Sequence, residues 1–173
     1  GILECIKNQD SSGGIIECVV TGMPVGIGDT VFEKLDANLA KAMLSIGAVK
    51  GFEIGDGFKA ADTKGSINND SFISENGQVL KQTNHSGGIL GGISDGSSII
   101  LRAAIKPTPS ISQPQKTVNT AGENIEIAIS GRHDPVIVPR AVVVVESMAA
   151  ITLTDLLMQN MTSRIEHLKN IYL

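Results

Sequence analysis

The sequence predicts an α+β fold with long buried helices. Short β-branched runs at residues 15–20 and 123–129 indicate strands. Apolar residues spaced three and four apart between residues 30 and 46 predict an amphipathic helix, and the mainly apolar segment 139–161 predicts a longer one. Since 173 residues is the usual length of one domain, we expect residues 1–173 to form a single domain.

The first predicted elements are a strand and a helix. Residues 15–20 lie between glycines, as a strand bounded by turns does, and the glycine-rich segment 22–28 predicts a loop. Thr30 and Glu33 have the spacing of a capping box, which predicts a helix start at that point. Gly47 is placed to end the helix as its C-terminal glycine.

The middle of the chain alternates extended runs with loops. Residues 49–54 predict a strand, and the polar segment 62–83 predicts a long surface loop with room for a short hairpin. Residues 97–105 predict a strand that delivers Lys106 at its end. Isoleucines alternate with other residues in 123–129, which predicts a half-buried strand.

Segment 139–161 fits two kinds of secondary structure. Its run of valines favours a strand by propensity, but its length and the proline at its start favour a helix. We expect a helix that is apolar nearly all round and therefore buried, followed by a polar helix to the C-terminus. Arg140, Glu146 and Asp155 argue against a membrane span.

Composition limits the classes of function. The formal net charge is −4 and no Lys/Arg-rich run is present, which argues against nucleic-acid and membrane-surface binding. Cys5 and Cys18 lie far apart without a CxxC pair, so we expect no metal site; reduced thiols are favoured over a disulfide. The chain begins without a signal peptide or an initiator Met, so we expect further sequence upstream.

The first chemistry-bearing block combines glycines with a lysine corner. Gly87, Gly88, Gly91 and Gly92 allow a ligand to lie against the backbone, but their spacing matches neither a Walker loop nor a dinucleotide loop. Spacing alone favours a tight turn. Residues 106–110 (KPTPS) form a stiff corner able to hold a phosphate or a flavin edge, although a strand end with a solvated lysine is the simpler reading.

The second block is Gly131-Arg132-His133-Asp134-Pro135. Arg132 can bind a phosphate or carboxylate through two parallel hydrogen bonds. Asp134 can act as a base or can pair with Arg132, and His133 can shuttle protons or sit satisfied in the core. The alternatives are therefore a catalytic corner and a salt-bridged turn.

Together the two blocks resemble the chorismate synthase family. Further matching segments are residues 22–29, 48–58 and 139–150, so the resemblance covers nearly the whole chain. It implies a β-α-β sandwich of the chorismate synthase type, here a partial fold with antiparallel strands. It also implies a cytoplasmic homotetramer that acts in the shikimate pathway of aromatic amino-acid biosynthesis.

The activity implied by the resemblance is that of a carbon–oxygen lyase. Such an enzyme converts 5-enolpyruvylshikimate 3-phosphate to chorismate by 1,4-elimination of phosphate, with reduced FMN as cofactor. The resemblance also associates the chain with NADPH and leaves the source of the flavin's electrons open. Asp134 matches the acid thought to assist proton removal. The implied FMN contacts are Gly47, Ala48, Gly91, Lys106, Pro107, Thr108, Pro109, Ser110 and Arg132.

Two substitutions and one larger difference separate the chain from the family pattern. Gly47 stands in a turn where many members have alanine or asparagine, and Val136 stands where many have cysteine. No match is found for the two catalytic histidines and the arginine-rich pocket of the family's N-terminal half. We therefore expect a C-terminal half that is inactive alone. The alternatives are a non-catalytic FMN- or anion-binding module and an oligomerisation module.

Overall fold

The computed structural model describes residues 1–131 and 133–172. The helices are α1 (Ile2–Lys7), α2 (Leu35–Ser45), α3 (Gly65–Asn68), α4 (Val138–Met161) and α5 (Ile165–Tyr172), with a 3-10 turn at Gly57–Asp62. The strands are β1 (Gly14–Val20), β2 (Val49–Ile54), β3 (Phe72–Glu75), β4 (Gln78–Lys81), β5 (Ile89–Leu90), β6 (Ile93–Ser94), β7 (Ile99–Ile105), β8 (Gln115–Val118) and β9 (Asn124–Ile127). The predicted mixture of helices and antiparallel strands is confirmed.

The central sheet has three antiparallel strands in the order β1-β7-β2. Alternate residues of β7 are fully buried, because successive side chains of a strand point to opposite faces. The other face of the sheet carries Arg102, whose guanidinium lies 2.8 Å from the Glu17 carboxylate. One face of the sheet therefore belongs to the core and the other is polar in part.

Helices α2 and α4 cover the buried face of the sheet. Leu35, Leu39 and Met43 of α2 are completely buried, at the four-residue spacing that lines one side of a helix. Helix α4 contributes a similar stripe. The buried residues of α4 are Val145, Ala149, Leu153 and Leu156. The core is therefore aliphatic, as the scarcity of aromatic residues requires.

The long helix is confirmed, but the expectation that it is buried all round is wrong. Pro139 lies in the first turn of α4, as predicted. Val143 is 62% exposed and both Ile151 and Met158 are 63% exposed. The reason is geometric: α4 packs against β1 and α2, and contacts on one side of a helix bury a single stripe.

Helix α4 is also long and apolar enough to cross a membrane, judged by length and composition only. Of its most apolar stretch, 22% is buried. The core helix of a globular domain can have the same length and apolar composition.

The predicted capping box at Thr30 is wrong. Helix α2 begins at Leu35, because residues 29–33 form a turn in which the Asp29 amide donates to the Glu33 carbonyl. Val31 has a φ of 68°, which no helix accommodates. The helix ends near the predicted position, but Ile46 is extended there and Ala48 takes the left-handed conformation.

Two hairpins account for much of the remaining extended structure. The polar segment 62–83 contains the β3–β4 hairpin, whose Asn76-Gly77 turn has positive φ at both residues, as a type I′ turn requires. The strand predicted at 123–129 is β9, paired with β8. The expectation that it is half-buried is wrong. All of β9 is exposed, since this ribbon is separate from the central sheet.

A buried ion network joins the β3–β4 hairpin to the loops around β5 and β6. The Lys81 ammonium lies 2.7 Å from Asp95 and 3.1 Å from Asp70, and the three side chains are 4–7% exposed. Burial alone raises the pKa of Asp70, but hydrogen bonds from Ser86, Thr83 and the His85 amide outweigh it and hold the pKa below its usual range. The Asp70 carboxyl is therefore ionised at neutral pH, as a partner of the Lys81 ammonium requires.

Replacing Lys81 tests this network. We expect Lys81→Met to lower the free energy of unfolding by about 3–5 kcal/mol, because it leaves two buried carboxylates without their cation. Urea unfolding followed by circular dichroism measures this, since the chain has no Trp. The exposed Lys41 provides the control variant Lys41→Met, which should change stability by less than about 0.5 kcal/mol. Equal effects of the two substitutions would contradict the assignment.

The same carboxylates predict how stability depends on pH. Burial raises the pKa of Asp95, but the Lys81 ammonium and the Ser97 amide reverse the shift, so the pKa values of both Asp95 and Asp70 are lowered. Their contribution is complete above the unfolded-state pKa of about 4 and is lost as the pH falls through the folded-state values. Urea midpoints should therefore decrease below about pH 4. In Asp70→Asn the urea midpoint should fall less steeply as the pH is lowered. An unchanged dependence of the midpoint on pH would contradict the assignment to Asp70.

Candidate functional site

Three chain segments meet at the end of β7. Ile105 pairs with Gly14 of β1 on one side and with Val49 of β2 on the other. The residues before these two strands, and those after Ile105, must therefore lie together. The sheet register thus brings segment 106–110 next to the Gly47-Ala48 turn, as the Lys106 amide donates to the Ala48 carbonyl at 2.9 Å.

Segment 106–110 contains a buried hydroxyl group without a partner. Thr108 Oγ1 is inaccessible to solvent and makes no hydrogen bond among the described residues. An unsatisfied buried hydroxyl costs about 1–3 kcal/mol, and a ligand oxygen or nitrogen would remove that penalty. Lys106, Pro107 and Pro109 are exposed, whereas Thr108 and Ser110 are half-buried. The segment thus contains an exposed lysine, the buried hydroxyl of Thr108 and the half-buried Ser110.

Asp134 pairs with Arg140, which the sequence did not suggest as its partner. Its Oδ2 accepts a hydrogen bond from Arg140 Nη1 at 2.6 Å, and Arg140 lies in the first turn of α4. Arg132, predicted to bind an anion or to pair with Asp134, lies outside the described residues. His133 Nε2 is 3.2 Å from the Ile129 carbonyl, so its ring is held by backbone.

Asp134 and His133 line a cavity of about 270 Å³. Ile111, directly after segment 106–110, lines the same cavity, as does Ser11. The two sequence blocks are therefore neighbours in the fold. Sequence reasoning missed Ser11, and its only local signal was a serine pair directly before two glycines.

Gly91 lies apart from the other predicted contacts. It occupies the β5–β6 turn with a φ of 60°, and the carbonyl of the next residue, Gly92, accepts from the Leu35 amide at the start of α2. Gly47 follows the opposite end of that helix. Since α2 has 11 residues, the two glycines are separated by roughly 16 Å of helix.

A larger cavity of about 460 Å³ lies between α2 and β2. Lys34, Phe52 and Phe58 contribute to its lining, and none of the predicted site residues does. We place the functional site at the smaller cavity because charged and hydroxyl groups converge there. Within residues 1–131 and 133–172, no group of three or more His, Cys, Asp or Glu side chains could hold a metal ion.

The residues at the end of β7 fit a flavin mononucleotide. The Lys106 ammonium suits its phosphate, and the unpartnered Thr108 hydroxyl suits a phosphate, ribityl or ring heteroatom. The Gly47-Ala48 turn lets a planar ring approach the backbone. These are the groups that a cofactor with one anionic end and one planar end requires.

Comparison with known proteins identifies the family. The sequence model described as chorismate synthase matches residues 1–158. The chain belongs to the chorismate synthase family. It is 66% identical to the chorismate synthase of Agathobacter rectalis over 169 residues, which is 98% of this chain and 46% of that protein. It is 53% identical to the chorismate synthase of Methanocaldococcus jannaschii over 160 residues, covering 91% of this chain and 42% of that protein.

A solved chorismate synthase structure shares the fold. The crystal structure superposes with a TM-score of 0.76 at 34% identity, over 98% of this chain and 44% of that one. The resemblance and the predicted fold type are therefore confirmed, with partial coverage of the whole fold. The chain spans less than half the length of the chorismate synthases that it matches.

The left-handed conformation of Ala48 gives a prediction for the turn. A φ of 71° strains any residue with a Cβ by about 1–2 kcal/mol, and glycine avoids that strain at some cost in chain entropy. We expect Ala48→Gly to raise the free energy of unfolding by up to about 1 kcal/mol. The matched variant Ala42→Gly, inside α2, should lower it by about 1 kcal/mol. Destabilisation by both substitutions, measured in urea, would argue against strain at Ala48.

Proposed function

We propose that this chain forms the flavin side of a chorismate synthase. The reaction is the 1,4-elimination of phosphate from 5-enolpyruvylshikimate 3-phosphate to give chorismate, with reduced FMN as cofactor. The observation that carries the proposal is the closeness of Asp134 to the anion-contact segment, residues 106–110: Asp134 and Ile111, the residue directly after that segment, line one cavity. High identity to chorismate synthases over nearly the whole chain supports it.

Residues at the end of β7 would bind the cofactor. The Lys106 ammonium and the Thr108 and Ser110 hydroxyls would bind its polar groups, with Pro107 and Pro109 fixing the backbone between them. The Gly47-Ala48 turn would lie against it. When bound, reduced FMN would lend the substrate an electron and regain it, so the reaction would have no net redox change. Arg132 and Gly91 are the remaining proposed contacts, and Gly91 lies at the opposite end of α2 from the Gly47-Ala48 turn.

Asp134 would hold the proton that the elimination releases. A carboxylate oxygen would accept the proton from the substrate carbon, the electron pair of that C–H bond would form a new carbon–carbon double bond, and the substrate's existing double bond would shift towards the carbon that carries the phosphate. The C–O bond to phosphate breaks and phosphate leaves with its electron pair. Arg140, bonded to Asp134 Oδ2, orients the carboxylate for this role.

Family membership supports further proposals about where and with what the chain acts. We propose a cytoplasmic homotetramer in the shikimate pathway of aromatic amino-acid biosynthesis, with NADPH associated with flavin reduction. We propose that residues 1–173 act as one domain, the C-terminal half of the enzyme, and that turnover requires the rest of the length found in relatives. A binding module without turnover is a second class, but family membership does not favour it.

A hybrid enzyme tests the function. The 169 matched residues of this chain replace their counterparts in the Agathobacter rectalis protein, and phosphate release from 5-enolpyruvylshikimate 3-phosphate is followed anaerobically with reduced FMN. We expect turnover within about tenfold of the parent, because the cofactor-binding groups are retained. A folded hybrid without turnover would overturn the proposal.

Asp134→Asn in the hybrid tests the role of the carboxylate. We expect the rate constant for turnover to fall by about 10²–10⁴, as is typical when a general base is removed, while FMN affinity changes less than about threefold. Asp155→Asn is the matched control, because Asp155 is an exposed aspartate whose hydrogen bond is to Gln159 on the same helix. Parental turnover in Asp134→Asn would show that another group takes the proton.

A further inference from the structure

A short polar segment before β1 joins the two halves of the proposed site. We call residues 8–13 the bridging segment. Ser11 Oγ donates to the Thr108 carbonyl at 2.6 Å, and the Ser12 amide donates to the Pro135 carbonyl at 2.8 Å. One contact reaches the anion-contact segment and the other reaches the Asp134 corner, through consecutive residues.

Close packing holds the bridging segment in place. A Cβ atom on Gly13 would lie 2.3 Å from the Ile105 carbonyl oxygen and 3.2 Å from Pro107. Only glycine permits the backbone to approach the end of β7 so closely. A further hydrogen bond runs from Gln113 Nε2 to the Asn8 carbonyl at 2.7 Å. The segment is therefore fixed at both of its ends.

The two bridging contacts differ in chemical origin. The contact of Ser11 comes from its side chain, whereas the contact of Ser12 comes from its backbone amide. Within residues 1–131 and 133–172, the Ser12 hydroxyl bonds only locally, to the Gly13 carbonyl at 3.0 Å. Removing the Ser11 hydroxyl thus breaks a bridge, and removing the Ser12 hydroxyl does not.

We propose that Ser11 is a positioning residue for the flavin site, acting through Thr108. Its hydroxyl fixes the Thr108 backbone, and the backbone in turn sets where the unpartnered Thr108 Oγ1 points. Ser11 also lines the cavity that contains Asp134, so the bridge sets the spacing between the anion-contact segment and the carboxylate. This inference rests on the proposed function and adds a residue to it.

The test compares three variants of the hybrid enzyme: Ser11→Ala, Ser11→Thr and Ser12→Ala. The dissociation constant for FMN is measured by flavin fluorescence, and global stability by urea unfolding. We expect Ser11→Ala to weaken FMN binding about tenfold, since one part-buried hydrogen bond that organises the site is lost. Ser11→Thr keeps a hydroxyl and should restore most of the affinity. Ser12→Ala should bind within about twofold of the unmodified hybrid.

Hydrogen exchange in the 173-residue chain gives a readout that needs no cofactor. The Ile111 amide donates to the Pro109 carbonyl at 3.1 Å, so its protection reports order in this corner. We expect Ser11→Ala to speed exchange of the Ile111 amide and leave amides in α2 unchanged. Ser12→Ala should leave both unchanged.

The outcomes separate this inference from the proposed function. If the folded, unmodified hybrid fails to bind FMN while the Agathobacter rectalis parent binds it, the proposed function fails and this inference fails with it. If the unmodified hybrid binds FMN and Ser11→Ala binds it equally well, only the role of Ser11 is overturned. A loss of stability in Ser11→Ala without weaker FMN binding would mark a purely structural hydrogen bond and would also overturn the role.

Discussion

The register of β7 between β1 and β2 is the constraint on which the site depends. Ile105 is paired on both sides, with Gly14 and with Val49. Because both pairings are antiparallel, the segments before β1 and β2 and the segment after β7 must lie at the same end of the strands. A shift of one residue in the β1–β7 pairing would turn the buried side chains of β1 outward and move these segments apart, whereas the β2–β7 pairing contains one irregularity, between Val49 and Gly51. The same strand register therefore packs the core and assembles the site.

The glycine-rich block is held by a second, electrostatic constraint. Lys81, Asp70 and Asp95 are charged groups removed from water, and their mutual arrangement fixes the loops on either side of β5 and β6. Glycine-rich backbone has many accessible conformations, so it needs such external fixation to present one surface. The aliphatic core orders the end of β7 at Ile105, whereas this ion network orders the glycine turn at the other end of α2.

Local patterns in the sequence predicted which helices and strands form better than they predicted what those elements pack against. Strands β1, β2 and β7 and helices α2 and α4 follow from periodicity and punctuation. The start of α2 does not, because the Asp29–Glu33 hydrogen bond competes with the capping box. The one-sided burial of α4 does not follow from the sequence either, because a helix that is apolar on all sides gives no indication of which sides other elements cover.

The candidate site shows the same division between local and non-local information. The sequence blocks nominated Lys106 and Asp134, and the resemblance nominated the Gly47-Ala48 turn. The contribution of Ser11 depends on a partner 97 residues away, which no local pattern encodes. Arg140 was likewise noted only as a charge on a helix, although it donates a hydrogen bond to Asp134.

The open side of α4 has a consequence for calorimetry. Heat capacity rises on unfolding because apolar surface becomes hydrated, by about 12–15 cal/mol/K per residue in ordinary domains. Val143, Ile151 and Met158 are already hydrated in the folded chain and add little to that change. The heat-capacity change of unfolding, per residue, should therefore fall below the usual range. The curve of unfolding free energy against temperature should be correspondingly flat. A chain with such a curve loses stability slowly on cooling and on warming alike.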